Sequence, residues 1–384
     1  MSLVLRALSV TFTLVRDLRD IDPVAWNRLA GHHPLASYEF LFALHHTGCA
    51  SPDTGWAPHF LLLHRGRELA GALPLFLKSH SRGEYVFDYA WAQAFERHGL
   101  PYYPKLLSAI PFTPVPGPRL LAANHADRVA LARKATEIGA QNGVSSLHIL
   151  FPDEADQRAL REAGYLFRES VQFHWFNRGY ANLDEFLASM NQQKRKKIRQ
   201  DRKKAQAAGI RFRWLQGHNI DAASLDFFYR CYRRTYLEHG NPPYLNPAFF
   251  QQLRETMAGN MVLVLAEQDG RPVASALNIL GPRTLYGRYW GSLVHIPGLH
   301  FETCYMQGIE FCIAHGIAVF EGGAQGEHKL SRGMLPVRTC SAHWISDQRY
   351  AAAIAEFLER ETPMVQAYRD ELLEHSPFKK TLQD

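Results

Sequence analysis

Two segments of this 384-residue chain concentrate side chains that can do chemistry. The first, Phe320–Gly333, reads FEGGAQGEHKLSRG. Gly322, Gly323 and Gly326 let the backbone approach a ligand closely, because no Cβ stands in the way. The segment then presents Glu327, His328, Lys329 and Arg332. Glu321, Glu327 or His328 could take up a proton at neutral pH, and Lys329 and Arg332 could hold a phosphate. A polar loop without a ligand is the ordinary alternative, and Glu321 alone could equally face away.

The second segment is Lys194–Lys204, KRKKIRQDRKK, with eight basic residues and one acid. The whole chain carries a formal charge of +6, so everything outside this stretch sums to −1. Leu187, Met190, Lys194, Ile198, Ala205 and Ala208 fall on one helical stripe, which leaves Arg195, Lys196, Arg199, Arg202 and Lys203 spread over the other faces. A solvated helix face is the bland explanation. Against it, Asp201 is the lone acid to relieve the repulsion. Phosphates would relieve it better, with Lys194, Arg195, Lys196, Lys197, Arg199 and Arg202 as contacts. A polyphosphate donor, a tRNA backbone or a nucleotide-linked acceptor would serve. Aromatic residues are not interleaved, so phosphates rather than bases are the expected contact, and DNA is not an expected partner.

A third group, Lys78, Glu84, Asp88, Glu96, Arg97, Tyr102, Tyr103, Lys105, Thr113 and Arg119, crowds around Pro101–Pro118. Six prolines in those eighteen residues disfavour helix and central strand alike, so a long shaped loop is expected. Polar decoration on such a loop suits an acceptor-binding cleft between domains, with Lys78, Asp88, Tyr102, Tyr103, Lys105 and Arg119 in it. Interdomain packing is the alternative. His300 and Glu302 lack an H-E-x-x-H pattern or paired cysteines, so no metal is expected. The five cysteines are scattered, which argues against both a disulfide framework and a zinc site. Walker A, G-x-G-x-x-G and G-x-S-x-G motifs do not occur, so ATPase, dinucleotide-dehydrogenase and serine-hydrolase chemistries have no support.

These residues need a framework of some size. Length and 46% hydrophobic content favour two globular domains, placed at 1–178 and 179–384. Three passages of the first half echo the second in the same order: His59–Leu73 and Leu263–Leu277, Ala140–Ile149 and Cys312–Gly322, Gln172–Trp175 and Ser341–Trp344. Their separation falls from 204 to 169 residues, which locates the surplus of the first half at the proline-rich stretch. Each half reads as hairpin, helix, buried strand and a final strand. The basic stretch sits in one helix over 184–208. The spacing predicts helices over 127–141, 154–162, 222–239 and 301–315, and Asp22-Pro23 marks another helix start. No apolar run approaches ~18–20 residues, and Met1–Val15 reads as a strand rather than a leader. A soluble, cytoplasmic protein is expected.

That order, occurring twice, resembles the acyltransferase fold of the GCN5-related N-acetyltransferases (GNAT) in tandem. The chain is similar to the Fem aminoacyltransferases and, more closely, to the FemAB-like group associated with peptidoglycan biosynthesis. The carrying segments are Thr54–Trp91, Pro101–Leu121, KRKKIRQDRKKA (Lys194–Ala205), YGRYWG (Tyr286–Gly291), LHFETCYMQGIEFCIAHG (Leu299–Gly316) and FEGGAQGEHKLSRGMLP (Phe320–Pro336). The resemblance implies an α/β (α+β) fold of two GNAT-type domains, each a mixed, mostly antiparallel sheet flanked by helices. It also implies transfer of an aminoacyl or acyl group to an amine, by direct attack without a covalent enzyme intermediate. Glu321, Glu327 or His328 would then be the base. Tyr289 would be an acid and Trp290 an acyl-pocket wall, both beside the strand end at Glu321, unless they pack in the core. No tightly bound cofactor is implied; aminoacyl-tRNA or acyl-CoA is the co-substrate. The acceptor would be a peptide, a cell-wall precursor or a small amine. Acetyl-CoA-using members carry a Q/R-x-x-G-x-G/A turn whose amides bind pyrophosphate. Gly291–Phe301 has isolated glycines instead, which fits a donor held by side chains. An acyl-CoA N-acetyltransferase and a non-catalytic nucleic-acid-binding protein keeping the fold are the competing readings; the oligomeric state stays open.

Overall fold

The computed structural model describes residues 9–323 and 326–379. Residues 1–8 of the expected N-terminal strand, and Ala324 and Gln325 of the glycine-rich segment, lie outside them. The chain forms two compact units, Met1–Glu169 with Cys340–Thr362 and Ser170–Thr339 with Pro363–Asp384.

The first unit runs β1 (Val10–Val15), α1 (Pro23–Ala30), α2 (Tyr38–His46), β2 (Trp56–Pro58), β3 (Phe60–Arg65), β4 (Glu68–Leu73) and β5 (Phe76–Lys78). It continues through α3 (Tyr89–Arg97), β6 (Lys105–Ser108), β7 (Leu121–Ala122), α4 (His125–Gln141), β8 (Ser146–Leu150), α5 (Glu154–Glu162) and the start of β9 (Leu166–Phe176). As the Asp22-Pro23 pair predicts, Asp22 caps α1 by accepting from the Val24 amide. One sheet has the order β1-β3-β4-β7, and a second runs β8-β6-β5-β2. The proline-rich stretch corrects the loop expectation. β6 lies inside it, antiparallel to β5 and parallel to β8. Its residues fall in the proline-free gap between Pro104 and Pro111, so their amides are intact for a ladder.

The second unit contains α6 (Leu183–Ser189), α7 (Gln192–Ala207), β10 (Ile210–Gln216), α8 (Ala222–Glu238), α9 (Pro247–Thr256), β11 (Met261–Gln268), β12 (Arg271–Leu280) and β13 (Thr284–Ser292). Then come α10 (Leu299–Phe301), a π-turn (Glu302–Met306), α11 (Gln307–Ala314), β14 (Val319–Glu321), a 3-10 turn (Glu327–Arg332), the start of β15 (Leu335–Ile345) and the end of α12 (Gln348–Glu374), whose residues 340–362 belong to the first unit. The single helix expected over 184–208 is two helices. Met190 is extended and Asn191 caps α7 by accepting from the Lys194 amide, which restarts the helix. The sheet order is β10-β11-β12-β13-β14-β9-β15. α8 and α9 cover one face, where Tyr232 and Phe250 meet Tyr289. α7, α10 and α11 cover the other, packing around Ile198, Leu285, Leu299 and Ile309.

The expected boundary at 178 leaves Cys340–Thr362 in the second domain. These residues pack with the first unit, because Ser341–Ile345 pair with β8 and Ile345, Ile354 and Leu358 bury against Trp91, Phe95 and Tyr102. The duplication appears in the registers. Glu321 pairs His174 where β14 meets β9, and His148 pairs His343 where β8 meets β15.

Candidate functional site

In the second unit β13 and β14 are parallel and paired only over Thr284–Tyr286 and Val319–Glu321. Beyond that point they part. β13 continues beside β12 to Ser292, while the chain leaves β14 through Gly322, where a Cβ would sit 2.5 Å from the Met334 sulfur, and Gly323, at φ +85. Bare backbone is therefore required at this exit.

The turn that follows places two cations indoors. Arg332 is 4% exposed and Lys329 is 5% exposed. Arg332 Nη2 donates to Asp201 of α7 at 2.7 Å, and its guanidinium lies over the Phe301 ring, 4.3 Å from the centroid. Its Nε and Nη1 are buried without a hydrogen-bond partner. Lys329 Nζ donates to the Gly323 carbonyl at 3.3 Å, and burial pushes its ammonium down to about 8. Donors buried with open valences are costly unless an anion completes them.

Neutral imidazoles stand beside these cations. His328 Nε2 lies 3.3 Å from the Tyr305 hydroxyl, and burial, then Lys329 and Arg332, lower its pKa. His300 lies against Trp290, ring centroids 4.8 Å apart and the planes tilted by 43°; burial, with the neighbouring His328, Lys329 and Arg332, pushes it down to about 4. Both rings are therefore mainly neutral at pH 7.

Of the residues singled out in the sequence, the structure brings Trp290, His328, Lys329 and Arg332 together. Glu327 is exposed and accepts from the Tyr368 hydroxyl at 2.7 Å. Strand alternation sends Phe320 toward Gly308 and Glu321 to the opposite face, with its register partners Tyr286 and His174. Tyr289 also leaves the cluster, for the aromatic layer of α8 and α9. Tyr289→Phe is therefore expected to be nearly neutral in urea unfolding, and Tyr289→Ala to cost about 3 kcal/mol or more; loss of transfer in the Phe variant alone would restore the phenol to the chemistry.

The charge on α7 is half spent. Lys197 and Lys204 pair with Asp201, Arg199 pairs with Asp184, and Arg202 reaches Glu302 and Glu310, each at 3.1 Å. Among the described residues Lys194, Arg195, Lys196 and Lys203 make no ion pair. Sequence reasoning weighed His300 and Glu302 only as metal ligands, and it passed over Tyr305 and the Asp201–Arg332 pair, since a contact across 131 positions leaves no local signal.

In the first unit, Lys78, Asp88, Tyr102, Tyr103 and Lys105 do assemble, in a closed network. Lys105 Nζ donates to Ser81 Oγ at 2.8 Å, to Glu84 at 2.7 Å and to Asp88. The Tyr102 hydroxyl donates to Asp88 at 2.6 Å and lies 3.0 Å from His148 Nε2. His148 Nδ1 meets His343 Nδ1 at 2.7 Å. Burial opposes charge on Lys105, but Glu84 and Asp88 outweigh it and raise its pKa. Burial likewise opposes charge on Asp88, and Lys105 reverses it. Glu84 and Lys78 are each brought by burial to about 7. Arg119 stands apart. Its guanidinium donates to the carbonyls of Leu150, Pro118 and Val115 and so pins the proline-rich stretch.

Two sheet-and-helix units of GNAT type, with buried cations where two parallel strands part, define a tandem acyltransferase fold. The chain belongs to the FemAB-like family, described as peptidoglycan biosynthesis/recognition, whose profile matches residues 17–380, and it is a transferase. Among solved structures it is similar to FemX, at 14% identity and TM-score 0.55, covering 87% of this chain and 98% of that one. It is also similar to L-PGS from Bacillus licheniformis, at 9% identity and TM-score 0.54, over 90% and 97%. A conserved protein from Bacteroides thetaiotaomicron VPI-5482 matches at 12% identity and TM-score 0.50, over 87% and 99%. No curated protein matches in sequence. Among the described residues no helix is long and apolar enough to cross a membrane.

Proposed function

We propose that the second unit transfers an aminoacyl group from aminoacyl-tRNA to the amine of a cell-wall precursor peptide. The observation that carries this reading is Arg332, buried with two open guanidinium nitrogens beside Lys329 at the point where β13 and β14 part. In this reading side chains, rather than loop amides, supply the anion donors. Between β13 and α10 the amides of Leu293, Val294 and Leu299 are spent on Val273, Ser292 and Ile296, so they cannot cradle a CoA pyrophosphate. Family membership in peptidoglycan biosynthesis/recognition supports the acceptor class.

In this reading His328 takes a proton from the acceptor ammonium, and the freed amine attacks the ester carbonyl carbon. A C–N bond forms and the C–O bond to the ribose breaks; the leaving oxygen receives the proton from His328, and the attacking nitrogen sheds its second proton to the regenerated imidazole, which passes it to solvent. Lys329 and Arg332 hold the adjacent phosphate and offset the charge that develops on the carbonyl oxygen. Lys194, Arg195, Lys196 and Lys203 track more distant phosphates.

Bulk tRNA and CoA, each titrated over a salt series, test the donor. Expected is tRNA binding whose logarithm falls linearly with log salt, and a slope smaller by about 2 or more when Lys194, Arg195, Lys196 and Lys197 are changed to alanine. Saturable CoA binding with no affinity for tRNA would overturn the reading in favour of a thioester donor.

A further inference from the structure

We propose that the first unit holds a second, closed site for a ligand carrying two adjacent oxyanion groups, now occupied by the chain's own Glu84 and Asp88 carboxylates. This proposal does not rest on the reading of the second unit. Its basis is which groups stand on strands and which on irregular backbone. Trp56, Lys78 and Lys105 are register neighbours at the ends of β2, β5 and β6, and both lysines are 0% exposed. Like charges directly opposite each other in a sheet are destabilising, and more so away from water. Tyr102 adds a phenol donor from the same region, and Tyr103 another.

The fixed groups are thus cations and hydroxyls, a set that suits an oxyanion. The acids come from residues 79–88, which form neither helix nor strand. The polar side chains of that segment are held by the same donors: Ser81, Glu84 and Asp88 on Lys105, Asp88 on Tyr102 and Ser81 on Tyr103 at 2.8 Å; Arg168 holds the Phe87 carbonyl at 2.7 Å. Its backbone is strained, with Tyr85 at φ +63, a left-handed conformation that bulky residues avoid.

The fit of the plug is incomplete. Glu84 Oε1 and Asp88 Oδ1 are buried without hydrogen-bond partners. Lys78 is served poorly: Nζ is 3.4 Å from the Arg82 carbonyl, 4.0 Å from Glu84, and otherwise rests on the Trp56 ring at 3.7 Å. Most buried carboxylate oxygens in a purely structural network find a partner. A diphosphate or dicarboxylate could displace both acids, engage Lys78 and Lys105 together, and release the strained segment.

The test uses the full chain, with pyrophosphate and succinate as probes, read by calorimetry and by amide exchange across residues 79–88. Saturable binding with faster exchange in that segment is expected, weakened roughly tenfold or more in Lys78→Met and strengthened in Glu84→Gln, which loses a competing charge. Arg332→Leu should leave this binding unchanged, which separates it from the second unit. Binding of pyrophosphate alone assigns a diphosphate ligand, succinate alone a dicarboxylate, and both a site selecting charge only. Absence of binding by both probes in wild type and Glu84→Gln, or binding that survives in Lys78→Met, overturns the proposal.

Discussion

Lys329→Met is expected to lower the rate of acyl transfer by roughly 10²–10³-fold while the chain stays folded. The magnitude is that of removing one preorganised donor from a site where charge develops. Methionine keeps most of the aliphatic stem, and among the described residues no carboxylate pairs with Lys329, so its removal strands no buried anion. The pH dependence separates two roles for this ammonium. Its folded pKa, near 8, lies below its ordinary value of 10.5. The folded state therefore binds fewer protons between those values, and stability rises with pH across that window; in Lys329→Met this rise disappears. If the cation is the working form, transfer falls as pH climbs through about 8. An alkaline limb that rises there, or a variant retaining more than about a third of wild-type turnover, would sink the assignment of Lys329 as an anion-holding group.

The second large effect belongs to the first unit. Lys105→Met removes the cation shared by Glu84 and Asp88 and leaves two carboxylates among buried neighbours. Breaking such a pair from one side costs about 3–5 kcal/mol. The sign with pH follows from linkage. Without Lys105, burial raises the folded pKa of Asp88 above its unfolded value, and Glu84, already near 7 with the cation present, moves further up. Both groups then bind protons more tightly in the folded state, so stability is lost as pH rises. Urea unfolding at pH 5 and pH 8 should show the larger deficit at pH 8, and adding Asp88→Asn should recover part of it. A deficit below about 1 kcal/mol at both pH values would mean that Lys105 is not the charge holding this network.

Much of the architecture was legible because it is local. Hairpins, the Asp22 cap and the helix before Gly143 each depend on residues within a few positions of one another, where alternation, capping and glycine chemistry act directly. The expectation failed at Lys105–Ser108. Proline density averaged over eighteen residues hid a short gap without proline, and a strand needs only its own amides. It failed again at Met190–Asn191, where continuous helical charge patterning outweighed a capping asparagine.

What the sequence determined by itself, then, is the tandem order of elements, the concentration of charge in α7, and the presence of His328, Lys329 and Arg332 on one glycine-rich segment. Tertiary structure decided which of these act together. Asp201 turned out to hold Arg332 across 131 residues of chain, and Glu310, together with Glu302, to hold Arg202 across 108. A single step along β13 sent Tyr289 to one face and Trp290 to the other. Burial shifted the proton affinity of Lys329, His300 and Glu84. Such outcomes depend on desolvation and on partners distant in sequence, and neither quantity is carried by a residue's type or by the residues beside it.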